Sequence, residues 1–439
     1  MTAMPQFSVT DLIVIFTMIT AGGLFLFYKP LAESAAWKAT ITPLASIMGS
    51  GFLVCAPLLY TAAGNYAAAV MAGLLVMAYA VGAVIRFNIR YGEPLLETLP
   101  LPTFKRREHR LHIGHRNTAR KVAAVKTAEI VERISHIALA GAYCVSVSYY
   151  LQLLSSFALH AFSINDILLG RILVTTILSG IAVVGFWRGL RGIERIERIA
   201  VGINLAMITA LIAGLAWFNA NAFIHNEWQL NIITFNHDPV YIVRLIMGML
   251  IIVQGFETSR FLGSEHPAAL RIKTMKWAQL ISSAIYIIFL ALMAIVISKA
   301  GSINDTGITA IIELSAIVAS VLPLIITVTA ICSQFAAATA DDAGCSGLLE
   351  SILRGHINTR IAYVIVSLIS IALTWLTNVY EIISLASRAF ALYYALQCIV
   401  AIIVARNVPS VPLPGRRIIM FSIMLLFCLA VTFFGISAE

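Results

Sequence analysis

The sequence predicts an all-α membrane protein of about twelve transmembrane helices. Three observations carry that expectation. Of 439 residues, 60% are hydrophobic and 12% are charged, with a mean hydropathy of +0.91. Many apolar runs exceed the roughly 18 residues that a bilayer-spanning helix needs. Two of those runs are interrupted by glycine and polar residues at membrane depth, at residues 47–52 and 253–257. A soluble domain does not have this composition. The net charge of +9 lies in short polar segments, which report membrane topology, so no nucleic-acid partner is expected.

Spans are read at 9–28, 41–61, 65–90, 128–160, 168–187, 199–218, 240–263, 275–299, 317–341, 360–377, 380–405 and 416–436. The N-terminal ten residues carry no basic residue, so the first span reads as a retained helix, not a cleaved signal. The second contains Ile47-Met48-Gly49-Ser50-Gly51-Phe52. Glycine gains least from helical order. The pair therefore either breaks the helix or only lets a neighbour pack closely. A break would aim free N–H groups and a positive dipole end at an anionic group.

The fourth span is longer than a bilayer requires, so it should tilt or protrude. Before it lies the loop from Pro100 to Lys126, with His109, His112 and His115. Interspersed Arg107, Arg110 and Arg116 would repel a metal ion. A basic loop touching anionic lipid headgroups is the better reading, and no metal site or cofactor is expected. The six cysteines lie in or beside apolar runs and suggest no disulfide framework. Of the 30 Lys and Arg, all but Arg171, Arg244, Lys299 and Arg388 fall on one side of the predicted spans. That side should be cytoplasmic, with both termini outside a plasma (inner) membrane.

The seventh span holds Val253-Gln254-Gly255-Phe256-Glu257. Polar groups at this depth face a bundle interior or a cavity. Two interrupted spans at corresponding places in two halves point to a secondary transporter with inverted repeats.

At these residues a family resemblance becomes visible. Residues Pro43 to Val54 (PLASIMGSGFLV), then a proline and the small-residue helix Ala67 to Arg86, resemble the first two helices of the amino acid–polyamine–organocation (APC) superfamily. Gln254 to Glu257, followed by Gly263-Ser264-Glu265 and Pro267, resembles its sixth helix and cytoplasmic exit. Ser333 to Asp342 with Gly344 resembles the end of its eighth. The resemblance covers residues 40–405 and implies a LeuT-type fold of five plus five inverted-repeat helices. The single transmembrane domain 1–439 would then comprise an extra N-terminal helix in 1–39, repeats at 40–218 and 240–405, and a C-terminal helix at 416–436. Carried over, Gly49, Ser50 and Gly51 would hold a substrate carboxylate. Val253, Gln254 and Gly255 would offer carbonyls and a side chain to its amino group.

The sequence departs from that pattern in its extra first helix, in Gln254, and in lacking a lysine within Ile199 to Phe218, where Met207 lies near the expected place. An adjacent Ser/Thr pair for sodium is also absent; Thr327, Thr329 and Ser333 are nearest, so the coupling ion reads as Na+ or H+. Tyr143 reads as lining the site, and Tyr149 and Tyr150 as an outer aromatic belt. His136 reads as a structural histidine. Arg388 reads either as a gate or substrate-anion partner, or as an internal ion pair with Glu257 or Glu381. Lys38, beside Trp37, should pair with Asp341 or Asp342 when the site is closed to the cytoplasm. The leading function is secondary active transport of an amino acid or a similar small amine or zwitterion. Uptake of an inorganic cation on the same fold is the alternative. No metal-ligand set, G-x-S-x-G or P-loop lysine suggests an enzyme.

Overall fold

The structure is a computed structural model describing residues 8–97, 115–188, 193–230, 238–264, 266–300, 307, 309–353 and 356–437. His109, His112, Glu265 and both chain ends therefore lie outside the described residues, as do the side chains of Ser50 and His115. Among the described residues every regular element is helical, and each of the twelve expected spans coincides with a helical segment. Among the described residues ten stretches are long and apolar enough to cross a bilayer, one of which, Ala35–Leu96, holds two long helices.

Helix α1 (Val9–Phe27) starts at a capping box, in which Ser8 and Asp11 exchange side-chain and backbone hydrogen bonds. The chain then forms α2 (Ala35–Ala63), turns at Gly64 with φ +51°, and continues as α3 (Ala67–Phe87). Helix α4 (His115–Ala161) has 47 residues, about 70 Å of helix, and so outruns the bilayer as expected. Then follow α5 (Ile167–Arg188) and α6 (Ile193–Ile224). The extra helix α1 lies along α6, where Val14 and Leu26 fill the space that side chains on Gly214 and Gly202 would occupy.

The second half opens with α7 (Pro239–Gly248), capped by Asp238 with proline in its first turn. Residues Leu250–Val253 tighten into a 3-10 turn, Gln254 is extended, and Gly255 has φ +113°. Helix α8 (Thr258–Phe261) then resumes. The second expected break is therefore present. Its cause is local: only glycine adopts that φ without strain. A Cβ at Gly255 would also lie 2.5 Å from Ser46 Oγ and 2.7 Å from the Ile47 nitrogen of α2. The long helices that follow are α9 (Ala268–Ala300), α10 (Leu322–Ile352), α11 (Thr359–Leu376), α12 (Val379–Asn407) and α13 (Pro414–Phe434), with a shorter helix, Ala310–Val318, before α10. Helix α4 sits at the centre, packed against α10 and α12, while α2 packs on α9 and the 3-10 turn.

The first expected break is absent. Helix α2 is continuous through Gly49, Ser50 and Gly51, so no free helix N-terminus exists there. Its glycines serve close packing instead. A Cβ on Gly51 would lie 2.8 Å from Ile252 Cα, which places the α7–α8 break directly against this helix. Helical hydrogen bonding also avoids exposing backbone groups to hydrocarbon. Two of the α2 carbonyls gain side-chain donors as well: Tyr286 Oη donates to the Ile47 carbonyl at 3.1 Å and Gln334 Nε2 to the Gly49 carbonyl at 3.1 Å.

Candidate functional site

A cavity of about 690 Å³ enters the bundle between α2, α4, α6, α8 and α10. Its wall runs inward along α2 from exposed Lys38 to Ser46, about 12 Å of helix. His136 and Tyr143 line it from α4, Thr258 and Phe261 from α8, and Ser333 and Asp341 from α10. The wall mixes hydroxyls, apolar side chains and one carboxylate, the lining expected of a small-solute site. Four sequence-predicted residues therefore share one space: Lys38, Tyr143, Ser333 and Asp341. Asp341 is also the acceptor of a hydrogen bond from the Ser146 hydroxyl. Lys38 forms no ion pair with either aspartate among the described residues, as the cavity lies open between their helices.

Behind this wall lies the interrupted segment. Val253, Gln254 and Glu257 are at most 2% exposed. The Glu257 Oε2 atom accepts from the Gly255 N–H at 3.0 Å and from Tyr394 Oη at 2.6 Å, but its Oε1 has no donor. Gln254 Nε2 donates to Tyr150 Oη at 3.4 Å, and its Oε1 also lacks a donor. Each such buried acceptor costs about 1–3 kcal/mol, more when charged. The Gly255 carbonyl is engaged by the Thr258 hydroxyl at 2.8 Å, so it is not held ready for an amino group. Aromatic rings surround the carboxylate: Phe256 stacks on Tyr394 at 5.3 Å, and Phe390 meets Tyr143 edge-on at 5.9 Å.

Several expectations are corrected. Arg388 is exposed and pairs with neither Glu257 nor Glu381; its Nε donates to the Thr432 carbonyl at 2.8 Å. Glu381 caps its own helix with Asn378. The reason lies in α13, whose final carbonyls lack intrahelical donors and attract cations. Arg244 Nε serves Phe434 in the same way at 3.1 Å. Thr327 donates to the Pro323 carbonyl of its own helix. Asp342 is fully buried outside the cavity wall, with Oδ1 3.4 Å from Ser346 Oγ. Tyr149 and Tyr150 are buried in the bundle, 0% and 1% exposed, so they form no outer belt.

Sequence reading missed a buried polar cluster below the break. Arg260 Nη2 donates to Glu132 Oε1 at 2.6 Å, and Arg260 also donates to Gln397. Gln397 Nε2 donates to Glu132 Oε2 at 3.0 Å, and Asn88 Nδ2 donates to Gln397 Oε1 at 2.8 Å. His136, on the cavity wall, lies 3.1 Å from Glu132. Arg271 extends the cluster, donating to the Arg260 carbonyl at 2.7 Å and to both Glu93 oxygens. The group ties α8 to α4 and α12. One signal for it was available: Glu132 and His136 stand four apart on one helical face.

Comparison with known proteins supplies the context. A family model described as an APC superfamily transporter matches residues 29–435. An uncharacterized protein of Aquifex aeolicus (strain VF5) is 35% identical over 436 residues, which are 99% of each chain. Among solved structures, the manganese transporter of Eremococcus coleocola, in complex with an aromatic bis-isothiourea compound, is similar with a TM-score of 0.56 at 11% identity. That match covers 93% of this chain and 87% of the other, and shows a shared fold.

Proposed function

We propose a specific transport role from one premise: the chain belongs to the APC superfamily of transporters. It is a multi-pass membrane transporter with the LeuT-type fold, and its relatives in family and fold are transporters, not enzymes. Our reading is that it moves a small organic amine or zwitterion by alternating access, coupled to Na+ or H+ or run as exchange. The lysine- and arginine-rich end faces the cytoplasm, both termini lie outside, and the cavity is its inward-open path across a plasma membrane.

One observation carries this reading. The cavity is walled by Thr258 and Phe261 of the short helix α8, which directly follows an interrupted segment packed on α2. Discontinuous helices at mid-membrane are where such folds place cargo, and short α8 can tilt without unfolding a long element. Uptake by proteoliposomes tests it. Labelled small amines and amino acids should accumulate under an imposed Na+ or pH gradient. Gradient-independent leakage, or no uptake of any class, would contradict it.

A further inference from the structure

Four basic residues lie away from the lysine- and arginine-rich side: Arg171, Arg244, Lys299 and Arg388. Lys299 meets the Glu227 carboxylate, and Arg171 lies over the Trp375 ring. Arg244 and Arg388 converge instead on the end of α13. Their Nε atoms donate to the Phe434 and Thr432 carbonyls, two residues apart. The Ile436 N–H closes the same corner by donating to the Arg244 carbonyl. Both arginines are exposed, and among the described residues neither meets a carboxylate and their Nη groups have no acceptor. The acids at the starts of their helices, Asp238 and Glu381, cap those helices. A helix C-terminus carries only about half a negative charge. Two guanidinium groups therefore leave the corner positive, with donors to spare.

Beside that corner a second cavity, of about 240 Å³, opens between α3, α7, the 3-10 turn and α13, and shares no lining residue with the first. Every residue lining it is apolar. Val243 and Met247 line it from either side of Arg244 in the chain, and Val431, the neighbour of Thr432, lines it from α13. Gly73, Met77 and Val243 are exposed, so the crevice opens sideways out of the bundle. From Val70 to Met77 it follows α3 for about 10 Å. Helices α3 and α13 lie in stretches long and apolar enough to cross a bilayer, so lipid faces this opening.

We propose that the corner and the crevice together hold one anionic phospholipid. Its phosphate bonds Arg244 and Arg388, and one acyl chain lies in the crevice. In the orientation proposed above, this lipid belongs to the outer leaflet. Guanidinium forks match phosphate oxygens, and such charge-assisted bonds are strong. The crevice alone would select nothing, because all lipid tails are equally apolar; selection for an anionic headgroup comes from the two arginines. The competing account is that the arginines only cap α13 and that the crevice accepts any tail.

Native mass spectrometry of the full chain separates the two. The protein, purified in detergent, is offered phosphatidylglycerol or phosphatidylcholine with identical acyl chains, and the retained lipid is counted. The wild type should retain the anionic lipid about tenfold better than the zwitterionic one. Replacing both arginines, Arg244→Gln with Arg388→Gln, should erase that preference. Gly73→Leu fills the crevice and keeps both arginines, and it should lower retention of phosphatidylglycerol several-fold. Its Cβ meets nothing within 4 Å, so this variant carries the test if the double variant does not fold. Inorganic phosphate at the lipid's concentration should displace none of it. Equal retention of the two lipids, or a preference that survives loss of both arginines, overturns the proposal. So does unchanged retention in Gly73→Leu, or displacement by inorganic phosphate, since either would leave the acyl chain without a role.

Discussion

At the scale of single residues, glycines divide by what stands over them. Gly255 is fixed by its φ of +113° and by contact with Ser46 and Ile47. Gly51 has ordinary helical neighbours, but a Cβ added there would lie 2.8 Å from Ile252 Cα. Gly51→Val and Gly255→Val should therefore both lose folded yield, in contrast to a substitution that only fills an empty site. Size-exclusion profiles and melting temperatures of the two variants check this; normal profiles would contradict it. Arg260→Ala strands the Glu132 carboxylate and should cost about 3–5 kcal/mol, read as a large drop in melting temperature. Arg388→Ala removes one exposed hydrogen bond to a carbonyl, a loss of about 1 kcal/mol, and should leave uptake intact. The carboxyl of Glu227, beyond the membrane spans, is held below its ordinary value by the hydrogen bond and charge of Lys299 at 2.8 Å. Its contribution is thus present above the unfolded pKa and fades as pH falls through the lowered one.

At the scale of elements, most of the architecture was legible. Each predicted apolar run coincides with helix among the described residues, because hydrocarbon forces backbone groups into helices whatever the local propensity. The break after α7 was legible because glutamine, glycine and glutamate crowd into four residues there. The absence of a break in α2 was not. Two glycines around a serine fit a bend and a close crossing equally well, and the deciding partner, Ile252, lies some 200 residues away. The fate of Arg388 was hidden for a similar reason, since the carbonyls it serves belong to the end of α13. The same packing gives the extra helices a role. Asp11 of α1 accepts from the Val321 N–H at 3.1 Å and the Ser320 hydroxyl, just before α10. Asp11→Asn weakens that anchor, and the melting temperature should fall by the equivalent of about 1–2 kcal/mol. At the other end, the Ile436 N–H donates to the Arg244 carbonyl at 3.2 Å and pins α13 to α7. Cutting the chain after Asn407 should loosen α7 and raise hydrogen exchange there before the rest of the bundle.

At the scale of the whole molecule, the cavity is open between Lys38 and Asp341, and alternating access requires that it close. In the proposed cycle, closure would bring α2 toward α10 and offer Lys38 a partner in Asp341. Exposed pairs contribute little stability, so the pair should act on the balance between inward- and outward-open states. Lys38→Ala should shift labelling of a cysteine placed at Ala340, on the cavity wall, toward the inward-open pattern. An unchanged pattern would show that the pair does not set the balance. The most direct test of alternating access itself is solute counterflow. Proteoliposomes are loaded with an unlabelled amine or amino acid found by the uptake assay, diluted into a trace of the same solute labelled, and followed in time. An alternating-access carrier predicts a transient overshoot of label inside. Monotonic equilibration without an overshoot would contradict it.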